Sequence, residues 1–345
     1  MSDAPLSVTE ATCREEWDAF VDGHPEAAVY HRWEWRAIIA RAFGHQTRYL
    51  VARTGGVMAG VLPLVAMRSP VFGRFVVSLP FVNYGGVLAS AARTADALLG
   101  AAGALARAGG YSHVELRHRA RRFGSLPFRA HKVAMELALP STRDALFGLF
   151  DRKLRNQIRK SEKSGLDVAA GGRELLDAFY EIFATNMRDL GTPVYGRNLC
   201  EEVLQEVGPR AAVIVVSRGG EPLAAGITIT YRDRVEMPWA SALRRGREWC
   251  ANQMLYWAAI GRAVDAHARQ FDFGRSTIGD SHFEFKKQWG AVPDALHWEY
   301  LQVGGAALPD FSPASAKYRR AVAIWKRLPL PVTRLVGPHI VRCIP

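Results

Sequence analysis

Apolar residues in this chain gather into short strand-length runs broken by glycine pairs, and one arrangement of runs occurs twice. The first copy reads YLVAR, TGG, VMAGVLPLV; the second reads AAVIVVS, RGG, EPLAAGITIT. Each is an apolar strand, a Gly-Gly turn that can take positive φ, and a return strand carrying Ala-Gly (Ala59-Gly60, Ala225-Gly226), which predicts a hairpin. A third strand follows in each copy, FGRFVVSLPFV and RVEMPWAS, then a helical stretch, RTADALLGAAGALARAG and NQMLYWAAIGRAVDAHA. Both copies close on a short strand that reaches an arginine, YSHVELR (Arg117) and FDFGR (Arg275). Such self-similarity predicts a duplicated α/β unit with mixed sheets. The first domain is expected over 1–140 and the second over 141–305, with a basic apolar tail over 306–345.

The segment between the copies, ALFGLFDRKLRNQIRKSEKSG, repeats apolar residues at helical spacing (Phe147, Phe150, Leu154, Ile158) and predicts one helix ending near Gly165. Six basic residues, Arg152, Lys153, Arg155, Arg159, Lys160 and Lys163, meet a single acid, Glu162. This face is either a solvated surface or an anion site, and Lys153, Arg155 and Arg159 are the candidates for holding phosphate there. The stretch RELLDAFYEIFATNMRDLGTPVYGRNLCEEVLQEV reads as two helices joined by the loop DLGTPVYG, where Asn186, Arg188 and Tyr195 bring an amide, a guanidinium and a phenol.

Composition narrows the function classes. The 345 residues suit about two domains. A charged fraction of 23% with 49% hydrophobic residues excludes wholesale disorder. No apolar run is long enough to span a bilayer. The opening MSDAPLSVTEATCREEW lacks the basic-then-apolar order of a secretory signal, so a cytoplasmic protein is expected. The net charge of +12 favours an anionic partner such as a phosphate-bearing small molecule, a nucleic acid or a membrane face. Cys13, Cys200, Cys250 and Cys343 are scattered, which argues against a disulfide framework and a metal site. Beyond Asp310 the tail carries Lys317, Arg319, Arg320, Lys326, Arg327, Arg334 and Arg342 without an acid, and either packs on the first domain or lies on an anionic membrane at its inner face.

The densest chemistry lies in FDFGRSTIGDSHFEFKKQWGAVP, read as strand, loop and strand. Alternation puts Phe271 and Phe273 on one face and Asp272 on the other. Arg275 and Ser276 stand at the strand exit, and Lys286 and Lys287 follow between Phe285 and Trp289. Paired lysines hold a phosphate or stabilise a developing oxyanion.

FKKQWG after FDFGRST resembles the signature of the FemAB/FemX family, and the basic helix KLRNQIRKSEKSG resembles that family's helix of the same character. FGH, SLPFVNYGG, KVAMEL, NMRDLGTPVYG, PWAS and LYW extend the resemblance to the FemAB branch associated with exosortase/PEP-CTERM exopolysaccharide systems, from about Trp17 to about Tyr300. The resemblance implies two tandem GNAT-type acyltransferase domains, here without a coiled-coil insertion. It implies transfer of an acyl or aminoacyl group to an amine of a cell-envelope or exopolysaccharide precursor. No cofactor would be bound; the donor, aminoacyl-tRNA or acyl-CoA, is a co-substrate. The turn ALRRGREWCANQM keeps only Arg244, Arg245 and Gly246 of a phosphate-cradling loop, so the donor stays open.

For the chemistry, Glu236 and Asp272 are the candidates for proton removal, and Lys286 for stabilising the oxyanion or leaving group. Lys287, Arg275 and Ser276 support it, and Asn83, Tyr84, Asn186, Arg188, Tyr195 and Trp239 shape the acceptor cleft. The alternative is a module of the same fold that has lost catalysis and binds or scaffolds an envelope-assembly system.

Overall fold

The computed structural model describes residues 4–70, 73–303 and 316–344. They separate into two compact units, one holding residues 4–131, 295–303 and 342–344 and the other 132–294 and 316–341.

The first unit begins with β1 (Leu6–Glu10), α1 (Arg14–Gly23) and α2 (Glu34–Phe43). Next come β2 (Gln46–Thr54), β3 (Val57–Ser69), β4 (Gly73–Val77), β5 (Leu88–Ala89), α3 (Ala92–Ala108), β6 (His113–His118) and β7 (Phe128–Arg129). The second unit runs through β8 (Lys132–Ala138), α4 (Arg143–Leu149), α5 (Arg152–Lys163), β9 (Asp167–Gly171), α6 (Leu176–Leu190) and α7 (Arg197–Val207). It continues with β10 (Ala211–Arg218), β11 (Glu221–Tyr231), β12 (Arg234–Ala242), α8 (Ala251–Asp265), β13 (Gln270–Thr277), α9 (Ser281–Lys287) and β14 (Val292–Ala295). The chain then gives β15 (His297–Gln302) to the first unit and α10 (Ala316–Trp325) and α11 (Leu330–Val341) to the second.

The repeat is real at the level of topology. Both glycine pairs take positive φ, +58° and +84° at Gly55-Gly56 and +56° and +81° at Gly219-Gly220, so each closes a tight hairpin, β2–β3 and β10–β11. In each unit the helix after the hairpin and its next strand makes a crossover, leaving β4 parallel to β6 and β12 parallel to β13. The pairs β1–β2, β2–β3, β3–β4, β3–β5, β6–β15, β7–β15, β8–β13, β9–β10, β10–β11 and β11–β12 are antiparallel. The sheet orders are β1-β2-β3-β4-β6-β15-β7, with β5 on β3, and β14-β8-β13-β12-β11-β10-β9.

The expected boundaries near 140 and 305 miss a reciprocal exchange. β8, just after the first copy, pairs with β13 of the second; β15, just after the second copy, pairs with β6 of the first. The exchange is cemented in the first unit by buried polar groups. Glu299 of β15 accepts from His118 Nδ1 (2.7 Å), Arg122 N (3.0 Å) and Phe123 N (2.7 Å). Arg117, fully buried, pairs with Glu115 (2.8 Å), donates to Val82 O and stacks over Trp298 of β15 at 4.2 Å.

Two local expectations also change. The predicted single helix breaks at Phe150: α4 ends there and Asp151 caps α5 by accepting from Leu154 N at 2.6 Å. The tail, where expected to pack on the first domain, instead contributes α10 and α11 to the second unit, where α11 lies along α6; only 342–344 belong to the first, with Arg342 O accepting from His45. Residues 306–315 of that tail lie outside the described residues.

Candidate active site

The site forms where β12 and β13 part. They pair only at Arg234–Gln270, Val235–Phe271 and Glu236–Asp272. Beyond that point both strands are irregular: β12 shifts register against β11 opposite Thr228, and β13 shifts against β8 between Asp272 and Arg275. Pro238, two residues past the last pair, has no N–H to continue a ladder. The gap is a cavity of about 240 Å³ walled by Met237, Pro238 and Ala240 of β12 and by Phe273, Arg275, Ser276 and Thr277 of β13. Tyr256 of α8, Lys132 of β8, and Asp280, His282 and Lys286 around α9 complete it.

The stretch after β13, expected as loop and strand, is helical over α9 because Asp280 caps it: its side chain accepts from Phe283 N at 2.7 Å. Phe283 and Trp289 sink into the core that also holds Phe271 and Phe273. That anchoring brings Lys286, 7% exposed, onto the β13 irregularity, where Nζ donates to Gly274 O (3.0 Å) and Arg275 O (2.9 Å). Burial pushes its amine down to about 8 against the pull of Asp272, Asp280 and Glu236. Lys132 donates to Thr277 Oγ1 at 2.6 Å, and its amine is also lowered, by burial and then by Arg275. Ser276 is 4% exposed and its hydroxyl has no hydrogen-bond partner within the protein. A buried, unsatisfied hydroxyl on a cavity wall is poised for a polar ligand atom.

The structure brings Lys286, Arg275 and Ser276 together and separates the other candidates from them. Lys287, one position on, is exposed and off the cavity wall. Glu236 and Asp272 are register neighbours and both buried, but neither lines the cavity. Val235, Met237, Phe271 and Phe273 belong to the core under α8, so the carboxylates between them face the side covered by α6. Asp272 accepts from Gly274 N (2.8 Å) and lies 3.8 Å from Arg234, which also pairs with Glu136. These carboxylates act on Lys286 through their charge rather than by touching what enters the cavity.

Trp239 and Asn186 belong to the α6 side as well, Asn186 donating to Ser241 Oγ at 3.1 Å. Arg188 pairs with Asp189, and Tyr195 offers its carbonyl to Tyr180. The α5 residues form a site of their own: Arg152, Lys153, Asn156, Gln157 and Lys160 line a shallow hollow of about 520 Å³, while Arg159 stacks over Phe147 at 5.2 Å. Lys153, Arg155 and Arg159 do not line the Lys286 cavity. Asn83 and Tyr84 are buried in the first unit, Tyr84 between Tyr30 and Arg119. The first unit's large hollow, about 880 Å³ beside the start of α3, holds none of the candidates. At the start of α8, Gly246 is buried, with room for a Cβ only 3.0 Å from Ala251 Cβ and 3.2 Å from Leu223 Cβ, so packing explains it. Arg244, Arg245 and Arg247 stand exposed there.

Sequence reasoning missed Lys132, Tyr256, Pro238, Thr277 and Asp280. Asp280, three residues before Phe283, carried a readable cap signal. Lys132 had none, because its neighbours on β13 are fixed by the strand exchange. No group of three His, Cys, Asp or Glu among the described residues could hold a metal ion.

Residues 150–287, which contain most of the cavity wall, match the family profile of the acetyltransferase (GNAT) domain. By structure the chain is similar to FemX, with a TM-score of 0.65, 15% identity, and 85% of this chain and 96% of that one covered. It is similar to a tandem GNAT protein from the clavulanic acid biosynthesis pathway (TM-score 0.55, 12% identity, 88% and 100% covered). It is also similar to the C-terminal domain of a putative lysylphosphatidylglycerol synthetase from Agrobacterium fabrum (0.56, 10%, 95% and 96%). No curated protein matches by sequence. The fold is two tandem GNAT-like domains with mixed sheets, as the resemblance implied.

Proposed function

We propose that the second unit transfers an acyl group to an amine in the cavity between β12 and β13. The observation that carries the reading is the buried ammonium of Lys286 beside the unsatisfied Ser276 hydroxyl, in a gap opened by two strands that stop pairing. The acyl carbonyl sits in the gap. The attacking nitrogen forms the C–N bond, the C–S or C–O bond breaks with its electron pair going to the donor's sulfur or oxygen, and the nitrogen's proton passes by way of His282 at the exposed rim to that leaving group, released as thiol or alcohol. Lys286 and Ser276 hold the oxygen that becomes negative, at a site where Pro238 offers no backbone donor. Glu236 and Asp272 keep Lys286 charged against its burial.

The donor is acyl-CoA or aminoacyl-tRNA, with its phosphates at Arg244, Arg245 and Arg247 by the start of α8. The basic hollow of α5, with Lys153, takes a further anionic portion of a substrate. The motifs shared with the exosortase/PEP-CTERM-associated FemAB branch support a cell-envelope or exopolysaccharide precursor as acceptor, modified on the cytoplasmic side.

The test incubates the purified chain with labelled acetyl-CoA and, separately, with charged tRNA, offering amino-sugar and lipid-linked amines. Turnover with one donor is expected. In Ser276→Ala that turnover should fall about tenfold with the melting temperature little changed, because the hydroxyl makes no hydrogen bond to another protein group. Absence of transfer from either donor, together with tight binding of a polysaccharide fragment, would favour the non-catalytic module.

A further inference from the structure

Helix α11 is seated inside out. Its buried residues are Thr333 (1% exposed), Gly337 and Val341, a narrow small-residue face. Gly337 rests so close to the loop after α6 that a Cβ there would lie 3.0 Å from both Val194 N and Val194 O. The aliphatic residues point the other way: Val332 at 40%, Leu335 at 71%, Val336 at 38% and Ile340 at 36% exposure. Their spacing, i, i+3, i+4 and i+8, makes one stripe. An amphipathic surface helix normally turns such a stripe inward. On α10, Ile324 is exposed as well, at 64%. A contiguous apolar surface of this kind marks a place where something else binds.

Charge identifies the occupant. Residues 312–341 contain six Lys or Arg and no Asp or Glu. Arg320, Lys326 and Arg327 are exposed on α10 and the turn that enters α11. A second copy packed stripe to stripe would bring two such basic rims together, and that repulsion disfavours self-association. An anionic bilayer accepts both components: aliphatic side chains at the acyl boundary and cations among the headgroups. Among the described residues no helix is long and apolar enough to cross a membrane. We infer that α11, flanked by Arg320, Lys326 and Arg327, docks the protein on an anionic lipid surface, with the helix lying in the interface. The inference does not depend on the chemistry of the Lys286 cavity.

The full chain would be sedimented with vesicles of phosphatidylcholine alone and with vesicles that also contain phosphatidylglycerol. Binding is expected to the anionic vesicles, weaker at high salt, with much less to the neutral ones. Leu335→Glu with Ile340→Glu should weaken it by about tenfold or more, at unchanged helix content and melting temperature. Lys326→Glu with Arg327→Glu leaves the stripe intact and should abolish the salt-dependent part. The inference is overturned if the anionic vesicles fail to retain the chain, or if the stripe variant binds them undiminished. A dimer in solution that the stripe variant converts to monomer would overturn it too, and would assign the stripe to a second copy.

Discussion

Lys286→Met is expected to lower acyl transfer by about 10²- to 10³-fold, the usual loss when a donor to a developing oxyanion is removed from an enclosed site. The side chain of similar length keeps the cavity filled, so the loss reports charge rather than shape. The pH dependence gives the sign of the role. With its amine at about 8, Lys286 is mostly protonated at neutral pH, and the protonated form is the one that stabilises negative charge. The Lys286-dependent part of the transfer rate should therefore fall as pH rises through about 8. A ratio of wild-type to Lys286→Met rates that climbs through the same region would make Lys286 a base and sink the assignment. Stability provides a readout free of turnover. The folded amine lies below its ordinary 10.5, so between about 8 and 10.5 the unfolded chain binds the extra proton and wild-type stability rises with pH. Urea unfolding of Lys286→Met across that interval should lack the rise.

Glu299→Ala is expected to destabilise the protein by about 3–5 kcal/mol, the range found when one partner of a buried charged network is removed. The substitution leaves His118 Nδ1 and the amides of Arg122 and Phe123, in a buried to part-buried setting, without their acceptor. Glu299→Gln keeps the shape and an acceptor oxygen and should lose less. Burial works to raise the Glu299 carboxyl, but the bonds from His118, Arg122 and Phe123 outweigh it and hold the group below the ordinary carboxylate value. Its contribution is thus complete above the unfolded carboxylate range and disappears as pH falls through the folded value. Acid titration of urea midpoints should show that loss in the wild type and a flatter profile in Glu299→Gln. Equal midpoints for wild type and Glu299→Ala at neutral pH would remove Glu299 from the account of stability.

The duplication was legible because Gly55-Gly56 and Gly219-Gly220 need a backbone conformation that few residues tolerate, and they punctuate two similar apolar patterns. Arg275, Ser276 and Lys286 were legible as a cluster within FDFGRSTIGDSHFEFKKQWG. Their arrangement was not. Phe283 and Phe285 alternate as in a strand, and only the Asp280 cap turns that segment into α9. Phe147, Phe150, Leu154 and Ile158 keep helical spacing across a break that Asp151 makes. The placement of Lys132 depends on β8 pairing with a strand far along the chain, and local periodicity does not specify a distant partner. Residues local in sequence were read well, whereas juxtapositions made by long-range pairing required coordinates.

The swap of β8 and β15 also orders events during synthesis. β15 sits between β6 and β7, so the first sheet cannot close until residues 297–302 have left the ribosome. Until then β6 has one open edge and the amides of Arg122 and Phe123 have no carboxylate to receive them. A chain that ends before β15 is therefore expected to keep an unpaired strand edge on β6, the kind of edge that favours aggregation.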